Sequence, residues 1–500
     1  MKKIKILAIL AFLSFMSCDN YLDVNNTPNN ALVPDVTPDL ALSAAQTSSY
    51  ANVTTSMNFL GNLFMNNWGF DVNSFAVTNP AEFSYSIDNN FYSAIWNTPM
   101  RNTANFTNII NTPFANYENH VAIAKICKTY YFQILVDMYG DIPYSQAHLG
   151  VQEITPAYDN AKSVYRDLYV QLDEAIDLIN NSPNANAVGM EDAVFGGNMG
   201  RWIEFANTMK LRLLMRQVDL AESGTDTETT AYVADKFVSL AGASFLTVDA
   251  TLNPGYSDTR EDTRSPFWRI MYGADNTTVT AFYRQYKASK RNADNLNSPV
   301  DPRRSRLFTL VGGQVVGVEQ GDSSVVNGGN APSTLSSFGP GVLSSASQDA
   351  YMFSLAECLL LQAEAVHRGY LTGDAQSLFD AAIDASMAQL GATETIPGTY
   401  KTAINTAAGR GYGVGTYDEK IEAIMYQKNI ALQGTSQALE AFIEYTRTGL
   451  IDNVPGSILG ATQANRPRRL LYPTSEYTSN AANVPAQGNV FATGSFWFVY

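Results

Sequence analysis

The segment from Val121 to Tyr139 constrains this chain more than any other. It has helical character, yet its apolar residues (Ile123, Ile126, Tyr130, Phe132, Ile134, Leu135, Met138) fall nearly all round the helix rather than on one stripe. A helix of that kind has to be covered on every side, so the rest of the fold must wrap around it. The helix should stop at Gly140, a residue suited to a left-handed C-terminal position. Asp141-Ile142-Pro143-Tyr144-Ser145 then reads as extended chain, because proline restricts the residue before it. Candidate covering helices are plentiful. Residues 39–68 alternate helix formers with a polar face, and Phe91 to Ile110, containing Trp96, is a further helical pattern. In Asp159 to Ile179 the apolar positions Ala161, Val164, Tyr165, Leu168, Leu172, Ala175, Ile176 and Ile179 recur at steps of three and four, which predicts an amphipathic helix. Helix is also expected over Arg201–Leu213, from Tyr351 through Gly369, over Ala375–Met387, Asp418–Gln433 and Gln437–Thr446. The fold class is therefore mainly α.

The N-terminus has a separate logic. Lys2, Lys3 and Lys5 precede an apolar core, Ile6 to Phe15, of about ten residues, the pattern of an export signal. That core is too short to span a bilayer, which takes roughly 20 apolar residues. Leu13-Ser14-Phe15-Met16-Ser17-Cys18 follows and resembles a bacterial lipobox, in which the cysteine is acylated. We therefore expect a signal peptide over 1–17, lipid on Cys18, and a flexible tether over 18–38, rich in Asn, Asp and Pro. Removing residues 1–17 takes away three lysines and no acid, so the net charge moves from -15 to -18. A chain so acidic repels phosphate backbones, which excludes nucleic acid as a partner and favours neutral over polyanionic ligands.

Motifs for catalysis are thin. His120, His148 and His367 are scattered without metal-ligand spacing, and no Gly-x-Ser-x-Gly elbow occurs. Gly409 to Gly415 is glycine-rich but follows no apolar strand, so it reads as a loop and not a dinucleotide fingerprint. No cofactor and no metal are called for. Two carboxylates across a cleft would suffice for a glycosidase, and that alternative stays open at this level. Cys127 and Cys358 lie in apolar helical context and read as buried free thiols, with pairing as the alternative.

Between residues 222 and 350 the composition shifts to Pro, Gly, Ser, Asn and Asp, and Asp322 to Ser347 has almost no helical periodicity. Long loops in a helical body are commonly functional, and this one carries Tyr256, Phe267, Trp268, Tyr272, Phe282 and Tyr283. A sugar presents a C–H face that stacks on aromatic rings and hydroxyls that need polar partners. Trp268 with Tyr272, the cluster Asn67, Trp68 and Phe70, and Trp96 are the candidate ligand contacts. For each ring the alternative is core packing. Trp202 and Trp497 read as packing residues.

Several phrases resemble one family. Asp-Asn-Tyr-Leu-Asp-Val-Asn-Asn-Thr-Pro-Asn-Asn (19–30) follows the lipobox, and Asp-Met-Tyr-Gly-Asp-Ile-Pro-Tyr-Ser-Gln-Ala (137–147) is the most specific match. Trp202 to Arg212, Asp301-Pro302-Arg303, Glu357 to Gly369, Gln427-Lys428, Arg447-Thr448-Gly449 and Pro467 to Glu476 add to it. Together they resemble the SusD/RagB family of nutrient-binding outer-membrane lipoproteins of Bacteroidota, SusD-like subgroup. Gln146, Thr208 and Phe442 stand where the family usually has Glu, Ser and Trp.

The resemblance implies one SusD-like domain over 39–500, built of tetratricopeptide-like helix pairs. Its parts would be a helical 39–221, a loop-rich binding region 222–350, a helical 351–450 and an irregular tail 451–500. It further implies a non-catalytic, lipid-anchored protein at the cell surface that hands a glycan to a SusC-like TonB-dependent transporter. A peptide or glycopeptide ligand, a protein-interaction scaffold and a lipid-anchored glycosidase are the alternatives.

Overall fold

The computed structural model describes residues 36–51, 53–71, 80–322, 334–450, 457 and 466–500. The export signal, Cys18 and residues 18–35 of the expected tether lie outside the described residues. Helices α1 (Pro38–Ala51) and α2 (Thr54–Phe64) lead into strand β1 (Trp68–Phe70). The helix expected over Phe91–Ile110 is two helices, α3 (Ala94–Asn102) and α4 (Ala104–Asn111). Pro99 lies inside α3 and has no N–H to continue the ladder, and the Thr103 hydroxyl donates to the Pro99 carbonyl at 2.6 Å where the two helices meet.

Helix α5 (Glu118–Tyr139) is the buried centre that the sequence demands, with 17 of its 22 residues buried. It ends at Gly140, whose φ of 86° lies where a Cβ would be strained. The extended chain beyond forms β2 (Ile142–Pro143), antiparallel to β3 (Tyr158–Asp159). Asn160 then caps α6 (Ala161–Asn181) by accepting the Ser163 N–H, a side-chain cap for an otherwise orphan donor. Helix α7 (Met199–Met215) packs on α6, and α6 packs on α5.

Residues 222–350 hold more regular structure than their composition announces. A 13-residue helix, Thr227–Ser239, opens the region, started by the Asp226 side chain accepting the Thr229 N–H. β4 (Ala250–Leu252), the short helix α8 (Pro266–Met271) and β5 (Tyr286–Ala288) follow. Helix does not resume at Tyr351 as expected. Residues Ala350–Phe353 form β6, antiparallel to β4, while β5 pairs with β1. Helix α9 (Leu355–His367) starts only after Ser354, whose hydroxyl caps the Glu357 N–H. α9 pairs with α10 (Ala375–Leu390), and α11 (Tyr417–Ala431) packs on α12 (Ala438–Thr448). Helix α12 also packs on α2, so closely at Gly61 that a Cβ there would lie 2.1 Å from the Ala438 backbone.

A buried ion-pair network ties these helices together. Arg212 on α7 meets Glu357 on α9 at 2.9 Å. Arg216, just past α7, pairs with Asp137 of α5 at 3.3 Å and with Glu440 and Glu444 of α12. Arg447 pairs with Glu364 at 2.8 Å, Asp219 at 2.7 Å and Glu444 at 2.6 Å. Lys428 lies 3.5 Å from Glu444. Several of the sequence phrases quoted above supply these charges: Asp137, Arg212, Glu357, Glu364, Lys428 and Arg447. Each charge taken out of water demands a partner, so their positions are mutually fixed. Cys127 and Cys358 are both free and buried.

Candidate ligand-binding site

The sequence candidates divide sharply by burial. Trp68, Trp96, Asn67 and Phe70 are core residues, none more than 5% exposed. Only Trp268 and Tyr272 of the named set are partly open to solvent. Trp68 is enclosed by Phe59, Phe267, Tyr286 and Phe338, with ring centroids 4.8–6.4 Å away. Phe70 packs edge-on against Phe83 and Tyr286. The Asn67 amide bonds Asn62 and Asn429, at 3.2 and 3.0 Å, and so is spent on the core. Trp96 sits elsewhere, donating to Glu476 at 3.1 Å among Tyr139, Tyr158 and Tyr472.

The surface site is built on α8. Pro266 occupies its first turn, where a missing N–H carries no penalty. Trp268 lies in this helix and Tyr272 directly follows it in extended backbone, φ −123° and ψ 143°. Their rings stack with centroids 4.1 Å apart and planes 20° from parallel. Each therefore covers one face of the other and leaves the outer faces as the available platform. Tyr283 extends the array, 5.9 Å from Tyr272, and Phe282 beside it is 49% exposed.

Hydrogen bonds hold the platform rigid. The Trp268 indole N–H donates to Asn276 Oδ1 at 2.6 Å. Asn276, at a φ of 60°, belongs to a turn whose Asp275 carboxylate accepts the Thr277 and Thr278 N–H groups and the Thr278 hydroxyl. Those donors hold the Asp275 carboxyl well below the usual carboxylate range. Buried Arg264 clamps the same turn from below, donating to the Gly273 and Ala274 carbonyls at 2.9 and 2.8 Å. Burial raises the Tyr272 and Tyr283 phenols above their ordinary value, so both remain hydroxyl donors at neutral pH.

The buried and exposed candidates are linked. Phe267, adjacent in sequence to Trp268, points inward and stacks on Trp68 at 6.4 Å. Trp68 is thus the footing of the platform, one layer beneath it. Asn276 and Tyr283 complete the site without having been singled out for it. The signal for Asn276 was an Asp-Asn-Thr-Thr turn directly after a paired Trp and Tyr. A cavity on the other side of α8, lined by Ser265, Phe267, Tyr50 and Asp349, has room for about 40 Å³, the scale of ordered water and not of a sugar ring.

Among the described residues, no three or more His, Cys, Asp or Glu are grouped to hold a metal ion. No helix among them is long and apolar enough to cross a membrane.

A family model described as SusD-like, "Starch-binding associating with outer membrane", matches residues 29–473. Among solved structures, a protein described as chitin-binding is 23% identical, with a TM-score of 0.71 over 92% of this chain and 99% of its own. A chitin-binding SusD homologue from Flavobacterium johnsoniae is 22% identical, with a TM-score of 0.70 over 92% and 97%. A SusD-like protein from Bacteroidetes is 20% identical, with a TM-score of 0.73 over 93% and 100%. No curated protein matches the sequence.

Proposed function

The chain belongs to the SusD-like family, and from that premise we propose that it is a non-catalytic glycan-binding lipoprotein at the cell surface. It captures an oligosaccharide on the Trp268–Tyr272 platform and passes it to a SusC-like TonB-dependent transporter in the outer membrane. Acylated Cys18 is the anchor in this reading. One observation carries the binding site. Of the tryptophans and polar residues that the sequence offers for ligand contact, Trp268 alone combines solvent access, a stacked partner and a fixed orientation.

Rigid stacking favours a ligand with flat C–H faces, because little side-chain entropy is lost on binding. Asn276, bonded to the indole N–H, belongs to a polar turn with Asp275 and Thr278, groups of the kind that meet sugar hydroxyls. The overall negative charge favours a neutral glycan. The chitin-binding descriptions of two structural neighbours make N-acetylglucosamine oligomers the first ligands to try.

Titration with chitin and starch oligosaccharides tests the assignment. Trp268→Ala should weaken binding by about fivefold or more, since one stacked ring contributes on the order of 1 kcal/mol or above. Unchanged affinity in that variant removes the platform as the site. Binding of short peptides in place of every glycan would move the ligand class while leaving the platform in place.

A further inference from the structure

A second cleft lies on the opposite kind of surface, among the helices of the stack. It is open, about 300 Å³ in volume, and lined by α4, α5, α6 and the Tyr144–Ser145 turn. Two lysines one turn apart on α5, Lys125 and Lys128, face it. Lys125 is committed: its ammonium donates to Gln171 at 2.7 Å and to Glu174 at 2.8 Å, leaving one of three N–H groups. Lys128 is different. Its ammonium lies over the face of Phe132, 5.4 Å from the ring centroid, and among the described residues no carboxylate is within ion-pair distance of it. The carboxylate of Asp167 lines the same cleft, but its Oδ2 is occupied by the Tyr144 hydroxyl at 2.5 Å. Thr129 adds a hydroxyl to the wall.

Lys128 is partly open to solvent in this cleft, so its ammonium stands ready to give a charge-assisted hydrogen bond to an anionic occupant in place of water. Burial, with repulsion from Lys125, draws the Lys128 ammonium down to about 8, so it still carries its charge at pH 7. Asp167, on the same cleft, sets the other half of the specificity: it repels a bare polyanion and accepts from hydroxyl or amino groups. The volume is at the lower end of the range for small-molecule sites, about 300–1,000 Å³.

We propose that this cleft is a ligand site separate from the aromatic platform, taking a small carboxylate that also carries hydrogen-bond donors. The carboxylate sits on Lys128 and the free N–H of Lys125, and the donors turn toward Asp167. Acidic monosaccharides and amino acids share that chemistry, and the test separates them.

The full chain is titrated with D-glucuronate, L-alanine, D-glucose and acetate, each followed by calorimetry and by the melting temperature, which rises when a ligand binds only the folded state. Glucuronate or alanine binds and raises the melting temperature, glucose does not, and acetate binds more weakly than either. Lys128→Met weakens the binding by about tenfold or more, Lys128→Arg retains it, and Trp268→Ala leaves it unchanged. The last variant makes failure here distinguishable from failure of the platform. The proposal is overturned if neither carboxylate binds at millimolar concentration, if glucose acts as well as glucuronate, or if Lys128→Met binds as the parent does.

Discussion

The indole N–H of Trp497 donates to Asp137 Oδ1 at 2.8 Å, joining the last turn of the chain to the central helix across 360 positions. The same carboxylate accepts from the Tyr165 hydroxyl and lies 3.3 Å from Arg216, so one buried acid gathers the tail, α6 and α7 onto α5. Trp497→Phe keeps most of the packing and removes one donor. It should lower stability by about 1–3 kcal/mol, the effect of leaving a buried charged acceptor short of a partner. Urea unfolding monitors this as a lower midpoint with an unchanged slope.

Burial raises the Asp137 carboxyl from its ordinary 3.8 to about 6, with Arg216 opposing. A carboxyl with a raised value binds its proton more tightly when folded. Its contribution to stability is thus complete below pH 4 and is lost as the pH climbs through 6. Asp137→Asn cannot titrate, so the stability difference between parent and variant should shift against the parent from pH 4 to pH 6.5, by on the order of 2–3 kcal/mol. Chemical denaturation at half-unit pH intervals checks it. A difference independent of pH would refute the assignment.

Arg447 is wholly buried between Glu364, Asp219 and Glu444. Removing its charge leaves the cluster one cation short, with Arg368, Arg216 and Lys428 left to offset the three acids. Arg447→Met should destabilise by about 3–5 kcal/mol, the range for breaking one side of a buried ionic cluster. Arg260, by contrast, pairs with Asp262 on the surface, and Arg260→Ala should leave the melting temperature essentially unchanged. Thermal melts of the two variants side by side give the comparison.

Trp68 and Trp268 offer a paired test of footing against platform. Trp68→Ala opens a cavity among Phe59, Phe267 and Phe338 and should lower stability by about 3–5 kcal/mol. Trp268→Ala should lower it by no more than about 1–2 kcal/mol, since only part of that ring is covered. Equal losses in the two variants would mean that Trp268 is as much a core residue as Trp68.

Period and punctuation made the helical body legible. The steps of three and four in Asp159–Ile179 yield α6, and the all-round apolar run yields the buried α5, because a helix cannot be apolar on every face and remain in water. Gly140 and Asn160 mark element ends through backbone geometry and capping, which act within a few residues. Phe91–Ile110 was less readable, since nothing in its apolar pattern marks the break at Thr103, whose backbone itself stays close to helical at φ −68° and ψ −10°.

What the order of residues left open was which aromatic rings face water. Trp68 and Trp268 each sit in an Asn- or Pro-flanked aromatic cluster and look alike as sequence. They differ because Phe267, Tyr286 and Phe338 arrive from elsewhere in the chain to enclose Trp68. The ring partner of Trp268 is a near neighbour in sequence, Tyr272, just past the end of α8. Likewise Arg447 and Glu364 lie 83 positions apart before folding brings them to 2.8 Å. Local patterns are set by backbone stereochemistry and can be read along the chain. Exposure of a ring, or the partner of a charge, is set by what packs against it from a distance, and only the assembled fold decides that.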